Sequence, residues 1–158
     1  MSVYANTVQI IVNGRCQPNP GPGGYAAVLM TIRNGKPVER VVSGAVANVN
    51  NQRVQLLAVA EALEALKKPC VVQLTSYSQY VVKGMTQWIS TWLENGWLTS
   101  KKQPVKNSDL WKRIHSACQT HQVTFHYQRW QSDDKEAQRL HALVQQARGS
   151  KPLSLIHI

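Results

Sequence analysis

The sequence predicts an α/β fold built around a mixed β-sheet, and two patterns lead to that prediction. Within the first 47 residues, three strand patterns are separated by a proline- and glycine-rich turn at Asn19–Gly24 and a two-residue hairpin turn at Asn34-Gly35. Leu56, Ala60 and Leu63 then recur at helical spacing before another short apolar strand. A helix between two strands implies a parallel crossover, so the sheet combines antiparallel and parallel pairs.

The remaining elements follow from strand alternation and helical spacing, and they give the order βββαβαααβα. Apolar runs rich in β-branched residues predict strands, and apolar residues three or four apart predict helices. The predicted strands are Thr7–Val12, Tyr25–Arg33, Lys36–Ala47, Val71–Thr75 and Val123–Gln128. The first predicted helix is capped by Asn50 or Asn51. Two more helices lie within Ser78–Asn95, separated by a break at Gly84, and the last two are Asp109–His121 and Asp134–Arg148.

The length of 158 residues, with 43% apolar residues, suits one domain with its own core. We assign that domain to residues 1–148. Residues 149–158 form a tail that is either flexible or an artefactual extension. No apolar run has the length of a membrane span, and residues 1–12 are too polar and too short for a signal peptide, so we expect no membrane association.

The charge balance favours a polyanionic partner. Lys and Arg number 18 against 8 Asp and Glu, a net charge of +10. Such an excess is typical of nucleic-acid binding, although a basic solvated surface is the alternative. Cys16, Cys70 and Cys118 are far apart in the sequence, so we expect neither a disulfide framework nor a zinc site, and a reducing cytoplasmic location fits.

Several ordered motifs resemble the bacterial-type ribonuclease H family (ribonuclease HI-like), from about Val8 to Arg148. These are Asn-Pro-Gly-Pro-Gly-Gly-Tyr at 19–25, Asn51–Leu56, Ala62–Lys67, Ser78–Val81, and the tryptophan-rich stretch from Trp88 to Trp111. The resemblance implies a ribonuclease H-like fold, with a five-stranded sheet of order 3-2-1-4-5 and helices on both faces. It also implies a central site where four carboxylates hold two Mg²⁺ ions that cleave the RNA strand of an RNA–DNA hybrid.

None of those four carboxylates is present in this chain. The matching positions hold Asn13, Gln55, Tyr77 and His141, and the family's mobile histidine falls on Gln131. Two closely spaced Mg²⁺ ions need anionic oxygens to offset their repulsion and their incomplete dehydration. We therefore expect no catalytic residues, no cofactor, and Mg²⁺ binding that is weak or absent.

The resemblance also implies a set of nucleic-acid contacts. Cys16, Asn19, Asn51 and Gln52 would approach the RNA strand, and Gln79 would read a minor-groove edge. A groove for the DNA strand would be formed by Lys83, Trp88, Lys101, Lys102 and Lys106. Of Trp88, Trp92, Trp97 and Trp111, we expect three to pack against the sheet rather than to face the ligand.

The loop before the last helix departs most from the family. Asp133 is expected to cap that helix, with Glu136 as its capping-box partner. Trp130 is either an exposed anchor for a protein partner or a plug that occupies the vacated site beside Tyr77.

Three functional hypotheses follow. The first is an inactive nuclease that binds nucleic acid, either RNA–DNA hybrid or duplex. The second is a protein-interaction subunit that uses the fold as a scaffold. The third is an active metal-dependent endoribonuclease H with an atypical site. None of them involves a small-molecule substrate.

Overall fold

A computed structural model of the protein describes residues 6–149 and contains one five-stranded sheet. Five strands form it: β1 Asn6–Cys16, β2 Gly21–Arg33, β3 Lys36–Val49, β4 Cys70–Ser76 and β5 Gln122–Tyr127. The helices are α1 Asn51–Glu64, α2 Gln79–Lys83, α3 Ile89–Asn95, α4 Ser108–Thr120 and α5 Lys135–Gly149, with a π-helical turn at Gly84–Trp88 between α2 and α3. The predicted tail lies outside the described residues except for Gly149, which ends α5.

The sheet has the strand order β3-β2-β1-β4-β5, which confirms the predicted fold class. β1, β2 and β3 pair antiparallel, whereas β4 pairs parallel with both β1 and β5. The first three strands follow one another through tight turns, and the helices between later strands carry the chain back for parallel pairing. No helix within residues 6–149 is both long enough and apolar enough to cross a bilayer.

Both faces of the sheet are covered, as predicted. One face packs against α1 and α4 in the larger core, which includes Val12, Leu56 and Trp111. The other packs against α5 through a smaller core that includes Val28 and Leu140. Since side chains alternate along a strand, β1 and β2 contribute to both cores.

β1 and β2 are longer than the sequence predicted. β1 continues four residues beyond Val12 to Cys16, and β2 begins at Gly21, inside the predicted turn. Antiparallel pairing of Gly14 with Tyr25 and of Cys16 with Gly23 keeps both segments extended, so only residues 17–20 form the turn. As a result Asn13 lies within a paired strand and is held rigidly.

The break at Gly84 has a packing cause. A Cβ atom at this position would lie 2.0 Å from Cη2 of Trp111, whose side chain is fully buried. Only glycine leaves room for the indole there, and the helix continues through the π-helical turn at this contact. The two predicted helices are therefore present, joined by this turn.

Candidate functional site

A crevice of about 210 Å³ opens where β1, β4 and the start of α1 meet the loop before α5. It brings together three of the degenerate family positions, Asn13, Gln55 and Tyr77, and Trp130 connects it to the fourth, His141. Gln131 is exposed and does not line it. The lining residues are Asn13, Gly14, Arg15, Asn51, Gln55, Tyr77 and Trp130.

Asn13 and Gln55 form a hydrogen-bonded amide pair at the base of the site. Gln55 Nε2 donates to Asn13 Oδ1 at 2.8 Å and to the carbonyl oxygen of Gly14 at 2.9 Å. Asn13 is 4% exposed, so this is a mostly buried contact. Both amide protons of Gln55 are used, and a carboxylate in its place would have no proton to give to either acceptor.

Tyr77, Trp130 and His141 form an aromatic cluster beside the amide pair. The Tyr77 and Trp130 ring centroids are 5.0 Å apart at an interplanar angle of 77°, and those of Trp130 and His141 are 5.9 Å apart at 61°. Edge-to-face arrangements of this kind are favourable between aromatic rings. Trp130 is half-buried, so of the two alternatives for this residue the structure has the one in which it tucks in beside Tyr77.

The phenol of Tyr77 is held in its neutral form. Burial, together with the nearby carboxylates of Asp134 and Glu136, raises the pKa of Tyr77 to about 12. The Tyr77 hydroxyl is buried without a hydrogen-bond partner, as are Gln55 Oε1 and His141 Nδ1. At neutral pH this residue therefore offers the crevice a hydroxyl and no anionic oxygen.

These residues do not fit a pair of Mg²⁺ ions. Magnesium binds through carboxylates at close to octahedral geometry, whereas the four positions supply two amides, a neutral phenol and an imidazole. Across residues 6–149 the structure contains no group of three His, Cys, Asp or Glu side chains able to hold a metal ion. The donor set thus disagrees with the metal chemistry that the family resemblance implies.

The loop acids near the site have structural roles. Asp134, not Asp133 as predicted, caps α5: its Oδ1 accepts from the Glu136 backbone N–H at 3.0 Å. Its Oδ2 accepts from Gln128 Nε2 at 3.0 Å. The prediction was wrong by one residue because the turn that Asp133 occupies delays the helix start to Lys135.

Cys16, Asn19 and Asn51 are joined in one hydrogen-bonded cluster. Asn51 Oδ1 accepts from the Cys16 backbone N–H at 3.0 Å and from Cys16 Sγ at 3.3 Å. Asn19 Oδ1 accepts from the Asn51 backbone N–H at 3.1 Å. The cluster connects the turn after β1 to the start of α1. The other two residues predicted to contact nucleic acid, Gln52 and Gln79, are exposed and lie outside this cluster.

The tryptophans divide as expected. Trp111 is fully buried, and Trp92 and Trp97 pack partly buried against the larger core, whereas Trp88 is 36% exposed. The four predicted lysines, Lys83, Lys101, Lys102 and Lys106, are all exposed. These lysines and Trp88 are called the lysine surface below.

Arginines neutralise half of the acidic residues. Arg53 pairs with Asp109, Arg113 with Glu61 and Glu64, and Arg139 with Glu39. No lysine of the lysine surface takes part in an ion pair with another residue of the described range 6–149.

The sequence analysis missed Arg15. It lies two residues beyond Asn13 on β1 and lines the crevice, where it is exposed. Strand alternation places residues i and i+2 on the same face, so this signal would have identified Arg15 once Asn13 was chosen.

Comparison with known proteins gives concordant matches. A family model described as RNase H matches residues 5–148. The Ribonuclease H of Hydrogenovibrio crunogenus is 44% identical over 140 residues, which cover 89% of this chain and 94% of that protein. The crystal structure of LC9-RNase H1, a type 1 RNase H with the type 2 active-site motif, has a TM-score of 0.84 at 26% identity and covers 94% of this chain and 75% of that one. LC11-RNase H1, solved in complex with RNA/DNA hybrid, has a TM-score of 0.66 at 20% identity, with coverage of 89% and 96%.

Proposed function

This chain belongs to the ribonuclease H family, and we propose that it is a member without nuclease activity that binds nucleic acid, either RNA–DNA hybrid or duplex. The observation that carries the proposal is the replacement of the anionic site by neutral side chains that bind one another. The amide pair Asn13–Gln55 and the aromatic cluster around Trp130 contain the four residues that the family resemblance matches to the carboxylates.

Electrostatics explain why this replacement abolishes cleavage. A contact between unit charges 4 Å apart is worth up to about 4 kcal/mol at an effective dielectric constant of 20. An amide oxygen keeps the shape of a carboxylate and loses that attraction, so each lost contact weakens divalent-ion binding by up to about a thousandfold. The neutral Tyr77 phenol adds no compensating charge.

Nucleic-acid binding is supported by the distribution of charge. The net charge is +10, and four of the eight acids are already paired with arginines. The exposed lysine surface is therefore available for phosphates, whose neutralisation releases counterions. Loss of the carboxylates removes repulsion between the site and the phosphate backbone, so binding should not depend on a metal ion.

The test is a fluorescence-anisotropy titration of labelled hybrid and duplex with the full chain, in EDTA and in Mg²⁺. We expect equal affinity in the two buffers and a steep decrease of affinity with salt concentration. Binding that requires Mg²⁺ would contradict the proposal. Absence of binding to either substrate would favour the protein-interaction subunit instead.

The second candidate function is an active ribonuclease H with an atypical site. It is favoured by the 44% identity to a protein named Ribonuclease H. Cleavage of hybrid by purified protein in Mg²⁺ or Mn²⁺ would establish it and would exclude our proposal. A control variant, Asn13→Ala, must lose that activity if the activity belongs to this site rather than to a contaminating nuclease.

Restoring the carboxylates separates lost catalysis from lost binding. The quadruple variant carries Asn13→Asp, Gln55→Glu, Tyr77→Asp and His141→Asp. If substrate binding has survived in this chain, we expect the variant to gain Mg²⁺-dependent cleavage of hybrid that the wild type lacks.

A further inference from the structure

We propose that the crevice accepts a single unpaired base of the bound nucleic acid, with the adjoining phosphate at Arg15. The inference rests on the proposed function, because it names the part of the nucleic acid that the altered site recognises. It concerns the crevice alone and does not involve the lysine surface, which would bind paired and unpaired substrates alike.

The walls of the crevice suit a neutral planar ring better than a phosphate. Its lining includes two aromatic side chains, Tyr77 and Trp130, and the amides of Asn13, Asn51 and Gln55. Aromatic side chains stack on bases whatever the sequence, since every base has a π face. The volume of about 210 Å³ corresponds to about seven water molecules at their liquid volume, which is enough for one base.

The lining residues have unused hydrogen-bonding capacity of both kinds. Both Gln55 Nε2 protons are donated within the protein, which leaves Gln55 Oε1 as a buried acceptor without a partner. The Tyr77 hydroxyl is a buried donor without a partner. Asn51 Oδ1 accepts from Cys16, so its amide group is oriented and its N–H protons are available.

Base edges present donors and acceptors side by side, and an unpaired base has this edge free. Gln55 is held by its two donated hydrogen bonds, whereas a slight turn of Tyr77 toward an occupant would give its buried hydroxyl a partner. A base within a duplex has already used its edge and is stacked on both sides. The crevice therefore selects a bulged, mismatched or terminal nucleotide, for which the cost of leaving the stack is lowest.

Charge at the rim completes the recognition. Arg15 is exposed, lies on the same face of β1 as Asn13, and forms no ion pair within residues 6–149. In the loop before α5, Asp134 is engaged elsewhere, since it holds Gln128 and the start of α5. Arg15 is thus a cation available to a phosphate attached to a base in the crevice.

The test compares two hybrids of the same sequence, one fully paired and one with a single unpaired 2-aminopurine, a fluorescent adenine analogue. We expect the wild type to bind the bulged hybrid about tenfold more tightly, within the range measured for base–aromatic stacking, and to change the 2-aminopurine fluorescence on binding. Trp130→Ala should remove the preference for the bulged hybrid. The matched control is Trp88→Ala, which removes an exposed tryptophan of the lysine surface. It should lower the affinity for both hybrids by the same factor.

Arg15→Ala serves as a second variant because its exposed side chain is not needed for folding, and it should reduce the preference by a smaller factor. Equal affinity of the wild type for the two hybrids, with no fluorescence change, would overturn the inference and leave the proposed function standing. Absence of binding to both hybrids and to a duplex of the same sequence would overturn the inference and the proposed function together.

Discussion

The substitution Gln55→Glu tests the amide pair directly. It changes one group from donor to acceptor at nearly constant size, at the point where Gln55 Nε2 donates to Asn13 Oδ1 and to the Gly14 carbonyl. In the variant, a carboxylate oxygen faces two other oxygens at hydrogen-bond distance. We expect the variant to be less stable than the wild type at neutral pH.

The magnitude follows from the two lost hydrogen bonds. Each is worth about 1 kcal/mol net, and a buried acceptor left without a donor costs about 1–3 kcal/mol more. Gln55 is only half-buried, so water reaches part of the group and we expect a total of about 3 kcal/mol. For a domain of this size that corresponds to a decrease in Tm of about 6–12 °C.

The loss should depend on pH in a defined direction. Crowding by two acceptors raises the folded-state pKa of the introduced carboxyl above its unfolded value. The instability is therefore fully present above the folded-state pKa and decreases as the pH falls through it, because the protonated acid regains one donor.

The measurement is urea denaturation from pH 8 to pH 5 in EDTA, for the wild type, Gln55→Glu and a control, Gln52→Glu. Gln52 lies on the same helix and is exposed, so the control makes the same chemical change without losing a buried contact. It should leave stability unchanged within about 0.5 kcal/mol. A Gln55→Glu variant as stable as the wild type at pH 8 would refute the reasoning about the amide pair.

Three further predictions concern packing, ion pairing and the lysine surface. Gly84→Ala should lower the free energy of unfolding by about 3 kcal/mol, because the new Cβ would collide with Trp111, whereas Gly149→Ala has open space and should be neutral in the same urea titration. Arg53→Ala should cost only about 0.5 kcal/mol at pH 7, since its pair with Asp109 is largely exposed. Arg53 holds the pKa of Asp109 below its usual value, so this difference should shrink as the pH falls through that depressed pKa, and a difference that does not shrink toward acid pH would exclude the ion pair as its cause. On the lysine surface, each alanine substitution that removes a phosphate contact should reduce the slope of log K against log salt by about 0.9, and an unchanged slope would argue against contact by that side chain; the residues to test are Lys83, Lys101, Lys102 and Lys106.

The burial of the four tryptophans could be predicted from the sequence only in part. That most would pack was predicted, because four large apolar groups near one another in the sequence must bury most of their area. Local pattern could not say which one remains exposed, since that depends on how α3 and α4 meet; the choice of Trp88 for the DNA-strand groove came from the family resemblance. The structure leaves Trp88 at the surface and buries Trp111 against Gly84.

The N-cap of α5 and the position of Trp130 could not be chosen from the sequence. Asp133 and Asp134 are adjacent and chemically identical, so the sequence offered no basis for choosing the cap that the structure assigns to Asp134. Likewise the two alternatives for Trp130 were decided by the space that β4, α1 and α5 leave between them.

The amino-acid sequence alone determined the fold class and the order of the strands and helices, because periodicity and turn residues are local properties of the chain. Its resemblance to the ribonuclease H family implied neutral side chains at the four carboxylate positions. Tertiary structure decided how those side chains contact one another. The Asn13–Gln55 pair and the Tyr77–Trp130–His141 cluster join residues up to 64 positions apart in the chain. Such contacts exist only after the sheet and both helix layers have assembled around them.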